Sequence, residues 1–576
     1  MCGIFSLINY TNCSVALTDE MIETEFQKGK GRGPESSKLF FKPEFNYVQG
    51  FHRLAINGLN PESNQPLYHG GCSLICNGEI YNYKELYKMM GITPNSDSDC
   101  EVIIHLYLKY GIKHTLRMLD GVFAFILFTP STIYVARDPY GVRPLYFMSP
   151  NSVFTSTIGF TSELKTCCNI ANTLGCEVNQ FPPGYVATIK RETKDLTLNN
   201  DSHLEKAKER WSMFSVEAYH SPSFSHNYFV DAEGISQKQL LNRCVEGIHL
   251  NLVNAVTKRY LTTERPIACL LSGGLDSSLI AAIVCDIHKK KFDRSLPAGK
   301  EFVKIETYSI GLPNSEDIKY ARLVADHIGS NHTEIIVSEE EMLAAIPEVI
   351  AAIESYDVTT IRASLGNYLL GKYIKANSQA KVIFNGDGSD ELCGGYLYMN
   401  SCPDSIEYDK ETLRLLKDIH LFDVLRSDKC ISSHGLEPRT PFLDKGFVNY
   451  YLSIPLHFRN HVLTDQIEKY LLRLAFSETN LLPKRVLWRK KEAFSDGVSN
   501  KGRSLFEIIQ DHIDKVLTED KTVNRKKIDN EKKYYKDIFN HLYPGQEHLI
   551  PYYWMPKYIK SDDPSARTLS SYSASL

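Results

Sequence analysis

The stretch Pro266 to Val284, PIACLLSGGLDSSLIAAIV, constrains the fold of this chain more than any other part of its sequence. The short, bounded apolar run Pro266 to Leu271 predicts a buried parallel strand. Helical spacing follows, with one apolar face made by Leu275, Leu279, Ala282 and Ile283. Ser272 to Gly274 form the turn between the two elements, where backbone N–H groups and the positive end of a helix dipole converge. The stretch therefore predicts an anion site.

The same turn limits the kind of phosphate chemistry. A Walker A loop has a lysine after its last glycine, but Leu275 follows Gly274 here, so we do not expect transfer of a γ-phosphate. Asp276 has the wrong charge for a phosphate unless it holds Mg²⁺. The SGGLDSS sequence resembles the pyrophosphate loop of the N-type ATP pyrophosphatases, which cleave ATP to AMP and pyrophosphate. An ordinary glycine-rich turn is the alternative.

Length, charge and cysteine usage bound the class of protein. With 576 residues, two or more domains are expected. The formal charge of −4 gives no bulk attraction to nucleic acid or to an anionic membrane. The apolar run Val122 to Phe128 is a strand, far short of the ~20 residues of a membrane helix. Fourteen cysteines lack zinc spacing and suit reduced thiols in a cytoplasmic protein.

The N-terminus, MCGIFSLINY, has no basic start and reads as a strand rather than as a signal peptide. Removal of Met1 would make Cys2 the terminal residue. Its α-amine, with a pKa near ~8, could then act as the base for its own thiol. A buried, inert cysteine is the alternative for this position alone.

The next 180 residues favour the nucleophile. In order they contain RGPE from Arg32, HRLAIN from His52, QPL from Gln65, NGEIYN from Asn77, DSDCE from Asp97, DGVFAF from Asp120, RDPYGVRPLY from Arg137 and PPG from Pro182. With Cys2-Gly3-Ile4, these segments resemble the N-terminal-nucleophile (Ntn) glutamine amidotransferases over nearly all of residues 1–185. The resemblance implies a four-layer αββα sandwich, the Ntn hydrolase fold, that hydrolyses glutamine to glutamate and ammonia.

The resemblance also implies roles at matching positions. Cys2 is the expected nucleophile, and the Asn77 side chain with the Gly78 N–H is the expected oxyanion hole. Arg53 would clamp the glutamine α-carboxylate. Glu79 and Asp99 would hold the α-ammonium group. The remaining glutamine-pocket residues are Leu54, Ala55, Ile56 and Asn57.

Strand-like and helical segments alternate in the second half of the chain. They are Glu306 to Ile310, Ile318 to Ile328, Thr333 to Val337, Met342 to Ile353 and Lys381 to Phe384. The alternation predicts a doubly wound parallel α/β sheet, with ligands at the carboxyl ends of its strands. Before it, helical periodicity begins at Ser236. The stretch Lys190 to Lys208 is highly charged and predicts a surface connection.

A second glycine-containing loop, KVIFNGDGSDELCGGY from Lys381, is dense in carboxylates: Asp387, Asp390 and Glu391. Together with SGGLDSS, YDVTTIRAS from Tyr356, HGLEPRTPFLD from His434, WRKKEAFSDGV from Trp488 and DPSARTL from Asp563, it resembles the glutamine-hydrolysing asparagine synthetase family over most of the chain. Two positions depart from that family's Ser-Gly-Glu-Gly-Ser-Asp-Glu pattern. Asn385 replaces Ser, and Asp387 replaces a Glu expected to assist formation of the intermediate.

This second resemblance implies the reaction. Aspartate and MgATP would give β-aspartyl-AMP and pyrophosphate in an adenine nucleotide α-hydrolase-like domain, and ammonia would displace AMP. Catalysis is assigned to Asp387 and Lys491, and the Mg²⁺ ligands are Asp276 and Asp390. The residues expected to contact ATP or pyrophosphate are Leu270, Ser272, Gly273, Gly274, Asp276, Ser277, Ser278, Ile310, Asn385 and Gly386. Those expected at the aspartate and the intermediate are Thr359, Thr360, Arg362 and Arg439.

The predicted organisation is a glutaminase domain at 1–188, a connecting segment at 189–235, a synthetase domain at 236–545 and a C-terminal tail at 546–576. Only small-molecule substrates are expected as partners, with a homodimer left open. Three alternatives remain: a glucosamine-phosphate synthase type of amidotransferase, which SGGLDSS disfavours; a related adenylating synthetase with another carboxylate substrate; and a degenerate, non-catalytic glutamine-binding protein.

Overall fold

The computed structural model describes residues 2–11, 17–151, 155–192, 210–221, 236–295, 302–499, 502–517 and 526–568. The chain divides into two compact units. The first unit contains Met1–Ser221 together with Tyr543–Leu549, and the second contains Pro222–Leu542 and Ile550–Leu576. Among the described residues, no helix is both long enough and apolar enough to span a bilayer.

Two antiparallel six-stranded sheets form the first unit. The first sheet has the order β10-β8-β9-β1-β3-β2 and the second the order β12-β11-β7-β6-β5-β4. The strands are β1 Gly3–Ile8, β2 Ser36–Lys42, β3 Tyr47–Arg53, β4 Leu67–His69, β5 Cys72–Ile80, β6 Gly121–Phe128, β7 Thr132–Arg137, β8 Tyr146–Pro150, β9 Ile158–Thr161, β10 Cys176–Gln180, β11 Tyr185–Glu192 and β12 Arg210–Ala218. The helices are α1 Asp19–Gln27, α2 Tyr83–Met90, α3 Val102–Tyr110, α4 Ile112–Met118 and α5 Cys168–Leu174.

The alternation of side chains along these strands supplies two cores. One core joins the facing sides of the two sheets, where Ile4 and Phe51 of the first sheet pack with Ile126 and Val135 of the second. A second core lies between the other face of the second sheet and α2 to α4, around Phe125 and Ile103. The two sheets of the first unit therefore pack face to face, and α2 to α4 cover the outer face of the second sheet.

The second unit is built on a five-stranded parallel sheet in the order β15-β14-β13-β16-β17. Its strands are β13 Ile267–Leu270, β14 Glu306–Gly311, β15 Asn331–Ile336, β16 Val382–Phe384 and β17 Glu437–Arg439. Its helices are α6 Gln237–Leu261, α7 Leu275–Ser295, α8 Glu316–Ile328, α9 Glu339–Ala344, α10 Ile346–Ile353, α11 Val358–Asn377, α12 Ser389–Cys393, α13 Ser405–Asp418, α14 Asp423–Ser432, α15 Lys445–Ser453, α16 Leu456–Arg459, α17 Tyr470–Ala475, α18 Lys484–Leu487, α19 Phe494–Gly497, α20 Leu505–Leu517 and α21 Lys527–Leu542.

The order of the parallel strands reverses at the centre of the sheet. The chain runs outward from β13 to β14 and β15, then returns to β16 on the other side of β13. A crevice opens at such a reversal, outside the carboxyl ends of the two central strands. The pyrophosphate loop follows β13 and the acidic loop follows β16, so the order brings both loops to this point.

Several elements match the predicted segments closely, and one differs. The strand and helix predicted in Pro266 to Val284 are β13 and the start of α7, and the helix predicted after Ser236 is α6, which Ser236 and Gln239 cap reciprocally. The predicted segment Met342 to Ile353 is two helices, α9 and α10, with Ala345 between them. Pro347 lies in the first turn of α10, where its missing N–H is tolerated.

The predicted connection and tail have structure of their own. Within 189–235, β12 pairs with β11 as the edge strand of the second sheet. The stretches 193–209 and 222–235 lie outside the described residues. Within the predicted tail, residues 550–568 belong to the second unit and bury Trp554, Asp563 and Ser565.

Candidate active sites

The first candidate site surrounds Cys2, at the start of β1. The side chain is partly buried, and its thiol donates to the backbone oxygen of Leu54 at 3.6 Å. The Cys2 carbonyl oxygen accepts a hydrogen bond from Arg32 Nε at 3.0 Å, and Arg32 pairs with Glu163 at 2.7 Å. The thiol is thus held against the stretch that follows β3, which contains the predicted pocket residues 54–57.

The predicted oxyanion-hole residues lie on β5. Asn77 is buried, and its Nδ2 donates to Ser162 Oγ at 3.4 Å. Only glycine fits at position 78 beside strand β6, because a Cβ there would lie 2.5 Å from the Val122 carbonyl oxygen. Asn77 and Gly78 are therefore fixed by the pairing of β5 with β6.

The remaining glutamine-pocket residues are linked to β5 and β3. Asn57 Nδ2 donates to Glu79 Oε2 at 2.6 Å, and Asp99 accepts from the Ile80 N–H at 2.6 Å. Arg53 donates to Asn64 Oδ1 at 2.7 Å and to the carbonyl oxygens of Gly58 and Asn60. The structure thus brings the predicted residues together, and Arg53 also fixes the loop that follows the pocket.

The second candidate site begins with the pyrophosphate loop. Ser272 N–H donates to Ser277 Oγ at 3.1 Å, and the Gly274 N–H donates to Ser272 Oγ at 3.3 Å. Gly273 has a φ of +74°, and a Cβ there would lie 2.5 Å from the Ala321 nitrogen. Glycine is therefore needed both for its conformation and for close packing against α8. The loop leads directly into the N-terminus of α7 at Leu275.

The acidic loop packs against the same helix N-terminus. A Cβ at Gly386 would lie 2.6 Å from the Ser277 nitrogen, so this glycine permits the two loops to touch. Ser389 Oγ donates to Asp276 Oδ1 at 2.8 Å, which joins α12 to α7. A cavity of about 220 Å³ opens beside the two loops, and its wall also includes residues of β14, α11, α14 and the stretch 489–495.

Two lysines and two aspartates alternate along one side of this cavity. Lys469 Nζ lies 2.6 Å from both Asp276 Oδ2 and Asp390 Oδ1, and Lys491 Nζ lies 2.5 Å from Asp390 Oδ2. Burial would raise the pKa of Asp390, but the two ammonium groups hold it well below its usual range. Burial would lower the pKa of Lys469, but the two carboxylates raise it above its usual value.

This arrangement fits a magnesium ion brought in by a nucleotide. Carboxylate oxygens are hard ligands that suit Mg²⁺, which commonly takes one or two of them and completes its shell with substrate phosphates and water. Asp276 and Asp390 both line the cavity and share one lysine, so their carboxylates converge. In the described part of the chain, no group of three or more histidine, cysteine or acidic side chains could hold a metal by itself.

Asp387 lies on another part of the cavity wall, beside α14. Its Oδ1 is 3.4 Å from Arg426 NH2, and Arg426 also pairs closely with Asp423. Burial raises the pKa of Asp387 to about 6, against the lowering effect of Arg426. Asn385, the second departure from the family pattern, donates through Nδ2 to Ser427 Oγ at 2.8 Å, which ties the loop to α14.

A chain of contacts connects the pyrophosphate loop with the C-terminal segment. Arg489 donates to the Gly273 carbonyl oxygen at 3.1 Å and pairs with Asp317 and Glu492. Glu492 in turn accepts from Arg567 NH2 at 2.8 Å. Burial raises the pKa of Asp317 to about 7 despite the nearby Arg489. Residue Arg567 thus holds the stretch that carries Lys491.

Most of the predicted nucleotide and aspartate positions line the cavity, and four do not. Those that line it are Leu270, Ser272, Gly274, Asp276, Ser277, Ile310, Thr359, Thr360, Asn385, Gly386, Asp387, Asp390 and Lys491. Gly273 and Ser278 lie in the pyrophosphate loop and the first turn of α7 without lining the cavity.

The two predicted arginines are the clearest difference from expectation. Arg362 is buried in ion pairs with Glu531 at 2.6 Å and Asp563 at 2.8 Å. Arg439 is buried as well, with Nε on Glu437 at 2.9 Å and NH2 on the Thr262 carbonyl oxygen at 2.9 Å. Neither guanidinium lines the cavity. In this structure both serve to join segments of the second unit.

Sequence reasoning missed Lys469, Arg426 and Arg489, which all line the cavity. Lys469 and Arg426 lie outside the quoted motifs, and neither has a glycine-rich turn beside it. Arg489 lies within the motif from Trp488 to Val498, and this position in the motif is the one feature of the sequence that could have indicated its place at the cavity.

Two family models match the chain. A family model described as asparagine synthase matches residues 248–407 and 403–557, and one described as a glutamine amidotransferase domain matches residues 1–197. The chain belongs to the asparagine synthase family. The amidotransferase match lies within the first unit, and the asparagine synthase match covers most of the second, together with Tyr543–Leu549 of the first. The asparagine synthase match includes the pyrophosphate loop, the acidic loop and Lys491.

Curated relatives of this family are similar over the whole chain. Glutamine-hydrolyzing asparagine synthetases from Gallus gallus, Rattus norvegicus and Homo sapiens are 40%, 39% and 37% identical to it. The alignments cover 99–100% of this chain and 99–100% of each relative. The similarity to glutamine-hydrolyzing asparagine synthetases thus extends over both units.

Proposed function

We propose that this protein is a ligase that makes asparagine from aspartate, with glutamine as the nitrogen donor and ATP as co-substrate. The products are asparagine, glutamate, AMP and pyrophosphate. The observation that carries the proposal is the meeting of the pyrophosphate loop and the acidic loop at one cavity, at the reversal of the parallel sheet. The pyrophosphate loop lacks the lysine with which a Walker A loop transfers a γ-phosphate, so cleavage to AMP and pyrophosphate is favoured.

In the first unit, Cys2 acts as the nucleophile on the glutamine carboxamide. Its thiol loses a proton to its own α-amine once Met1 is removed. The Asn77 side chain and the Gly78 N–H stabilise the developing oxyanion. Glu79 and Asp99 bind the α-ammonium group, and Arg53 is oriented by its bonds to the following loop as it binds the α-carboxylate. Collapse of the tetrahedral intermediate breaks the C–N bond and expels ammonia, which leaves a thioester on Cys2. Water then hydrolyses the thioester to glutamate and the free thiol.

In the second unit, the β-carboxylate of aspartate attacks the α-phosphorus of ATP, and pyrophosphate leaves. The loop from Ser272 to Ser277 and the N-terminus of α7 bind the leaving pyrophosphate. Lys491 offsets the negative charge that develops on the phosphates. Mg²⁺, held by Asp276 and Asp390 when bound, would neutralise phosphate charge. Asp387 assists the formation or use of β-aspartyl-AMP, from which ammonia displaces AMP.

The finer structural assignments belong to the same proposal. The two facing sheets with flanking helices support an αββα Ntn hydrolase fold for the first unit. The parallel sheet with its reversed strand order supports a doubly wound, adenine nucleotide α-hydrolase-like fold for the second. We assign the glutaminase to 1–188 and the synthetase to 236–545, joined by 189–235 and followed by 546–576. We further propose a cytoplasmic location, with a homodimer as the first oligomer to test.

The test is a product balance with purified protein. With glutamine, aspartate and MgATP, we expect AMP, pyrophosphate and asparagine in equal amounts, and ammonium chloride should replace glutamine. Without aspartate, pyrophosphate release should fall to background. A panel of other carboxylates distinguishes the alternative adenylating synthetase. Production of ADP and phosphate, or glutamine hydrolysis with no aspartate-dependent pyrophosphate, would overturn the proposal.

A further inference from the structure

One face of α11 lines the nucleotide cavity. The residues on that face are Thr359, Thr360, Ala363, Asn367 and Leu370. The last three follow at intervals of four and three residues, as expected for a single helical face. The two threonines lie in the first turn, whereas Asn367 lies about two turns farther along and has an apolar cavity neighbour on either side. Asn367 is therefore an isolated polar group on an apolar stretch of wall.

This part of α11 lies beside the predicted adenosine positions. A Cβ at Gly366 would lie 3.4 Å from Ile310 Cγ2, so the turn that carries Asn367 packs next to the end of β14. Leu270, Ile310 and Leu370 line the cavity together with Asn367. The charged groups at the phosphate loops come from other elements, namely Asp276, Lys469 and Lys491.

The carboxamide of Asn367 has no protein partner among the described residues. Its side chain forms no hydrogen bond with any of them, and only 6% of the residue is exposed. Other polar side chains of the same helix are paired. Thr360 Oγ1 donates to Asp357 at 2.7 Å, Ser364 Oγ to the Thr360 carbonyl oxygen at 2.6 Å, and Asn377 Nδ2 to the Tyr373 carbonyl oxygen at 2.9 Å.

A carboxamide that makes no hydrogen bond within the protein and faces a ligand cavity is suited to pair with the ligand. A carboxamide offers one donor and one acceptor side by side. Adenine presents the complementary pattern, since its 6-amino group donates and the adjacent ring nitrogen accepts. The apolar residues around Asn367 suit the faces of a flat base.

We infer that Asn367 is a specificity-determining residue that hydrogen-bonds the 6-amino edge of the adenine of ATP. Oδ1 accepts from the 6-amino group, and Nδ2 donates to the neighbouring ring nitrogen. The inference rests on the proposed function and assigns a side-chain contact to the base. The aspartate substrate is a poorer match for Asn367, because its three charged groups require charged partners rather than Leu270, Ile310 and Leu370.

The experiment compares ATP with purine riboside triphosphate, which lacks only the 6-amino group. Ammonium-dependent asparagine synthesis is measured as kcat/KM for each nucleotide. One lost hydrogen bond that leaves a buried partner unpaired predicts a preference for ATP of roughly 10- to 100-fold in the parent protein. In Asn367→Leu, kcat/KM for ATP should fall by a similar factor and the preference should shrink to about 1- to 3-fold. Analogues with carbon at position 1 or position 7 of the purine then identify the ring nitrogen.

Asn377→Leu is the matched control, because it makes the same chemical change on the exposed end of the same helix and should keep the parental preference. Asn367→Ser is the second variant should Asn367→Leu fail to fold, and it too should lose the preference. An unchanged preference in either folded Asn367 variant would overturn the inference, as would a parental preference near one. A higher KM for aspartate with the ATP preference intact would place Asn367 at the amino acid and overturn it too.

Failure of the proposed function would look different. A parent protein that makes no asparagine from ATP contradicts the proposed function, whatever the variants do. In that case, binding of ATP and of purine riboside triphosphate is measured without turnover, by titration against intrinsic fluorescence. The same loss of preference in Asn367→Leu is expected in that measurement, and equal affinities in the parent would refute the role of Asn367.

Discussion

Replacing Lys469 with methionine removes one ammonium group from between two carboxylates. Lys469 Nζ is buried 2.6 Å from both Asp276 and Asp390, whereas Lys491 contacts the same Asp390 with 20% of its side chain exposed. Breaking a buried ion pair from one side destabilises a protein by about 3–5 kcal/mol. Because Lys491 still compensates Asp390, we take the lower end, ~3 kcal/mol, for Lys469→Met.

That free energy can be converted to a melting temperature. The second unit has about 350 residues, and an unfolding entropy of ~2.1 cal/mol/K per residue gives ~0.7 kcal/mol/K. A loss of ~3 kcal/mol therefore lowers the melting temperature of this unit by about 4 °C. Intrinsic fluorescence reports the transition, since Trp488 and Trp554 lie in the second unit and Trp211 in the first. Lys491→Met, the matched control, should lower it by about 1 °C or less, because water reaches part of the Lys491 side chain and Lys469 still compensates Asp390.

The pH dependence sharpens this test. In the parent, Asp390 has a lowered pKa and Lys469 a raised one, so both contributions are fully present from about pH 5 to pH 9. In Lys469→Met, Asp390 loses one of the two ammonium groups that hold its pKa down, so its pKa rises. Protonation of Asp390 then recovers stability as the pH falls. The difference between parent and variant should be largest near pH 7 and smaller at pH 5.

Asp276→Asn in the Lys469→Met background supplies the second check. The second substitution removes the carboxylate of Asp276, whose nearest cation in the parent is Lys469. About half of the lost free energy of unfolding should therefore return. Asparagine synthesis should stay very low in all of these variants, while hydrolysis of glutamine in the first unit persists. A Lys469→Met protein that melts within 1 °C of the parent at pH 7, or shows the same deficit at pH 5, would refute the proposed buried charge network.

Three further outcomes are expected. Cys2→Ala should abolish glutamine-dependent synthesis and spare synthesis from ammonium, because only the first unit uses the thiol; loss of both in a folded protein would contradict two separate sites. Asp387→Asn should lower asparagine yield at least ~100-fold, and Asp387→Glu far less, because the longer side chain keeps the carboxylate and only moves it; parental yield from Asp387→Asn would show that the position carries no chemistry. Arg567→Ala should raise the KM for ATP several-fold by loosening Glu492 and Arg489 at the pyrophosphate loop, and Arg567→Lys should restore part of it; an unchanged KM in Arg567→Ala would exclude that contact chain.

Local sequence was sufficient where backbone geometry dictates residue type. Gly273 and Gly386 are glycines because a Cβ would collide with neighbouring backbone, and such positions are visible as motifs. Strand β13 and the start of α7 could also be predicted, because a short apolar run ends and a helical apolar face begins at the turn that contains Gly273.

Tertiary pairing was beyond local reasoning. Arg362 and Arg439 lie in motifs with site residues, and their ion pairs with Glu531 and Glu437 could not be read from those motifs. Lys469 shows the opposite case. Nothing in its own stretch marks it, and it lies at the site because the fold brings it between carboxylates of α7 and α12. The split of residues 342–353 into α9 and α10 also depends on packing that a periodic pattern does not contain.

The seven residues Tyr543–Leu549 have a consequence for the order in which the protein is made. They belong to the first unit, where Asn172 Nδ2 donates to the Pro544 carbonyl oxygen at 3.1 Å and His548 Nε2 lies 2.7 Å from the Val178 carbonyl oxygen. A ribosome that has completed residue 221 must add about 330 more residues before these contacts can form. At 5–20 residues per second, that delay is roughly 15–70 s. During that time the first unit lacks the contacts that Tyr543–Leu549 make with α5 and with the edge strand β10. These contacts form only after nearly all of the synthetase unit has been translated.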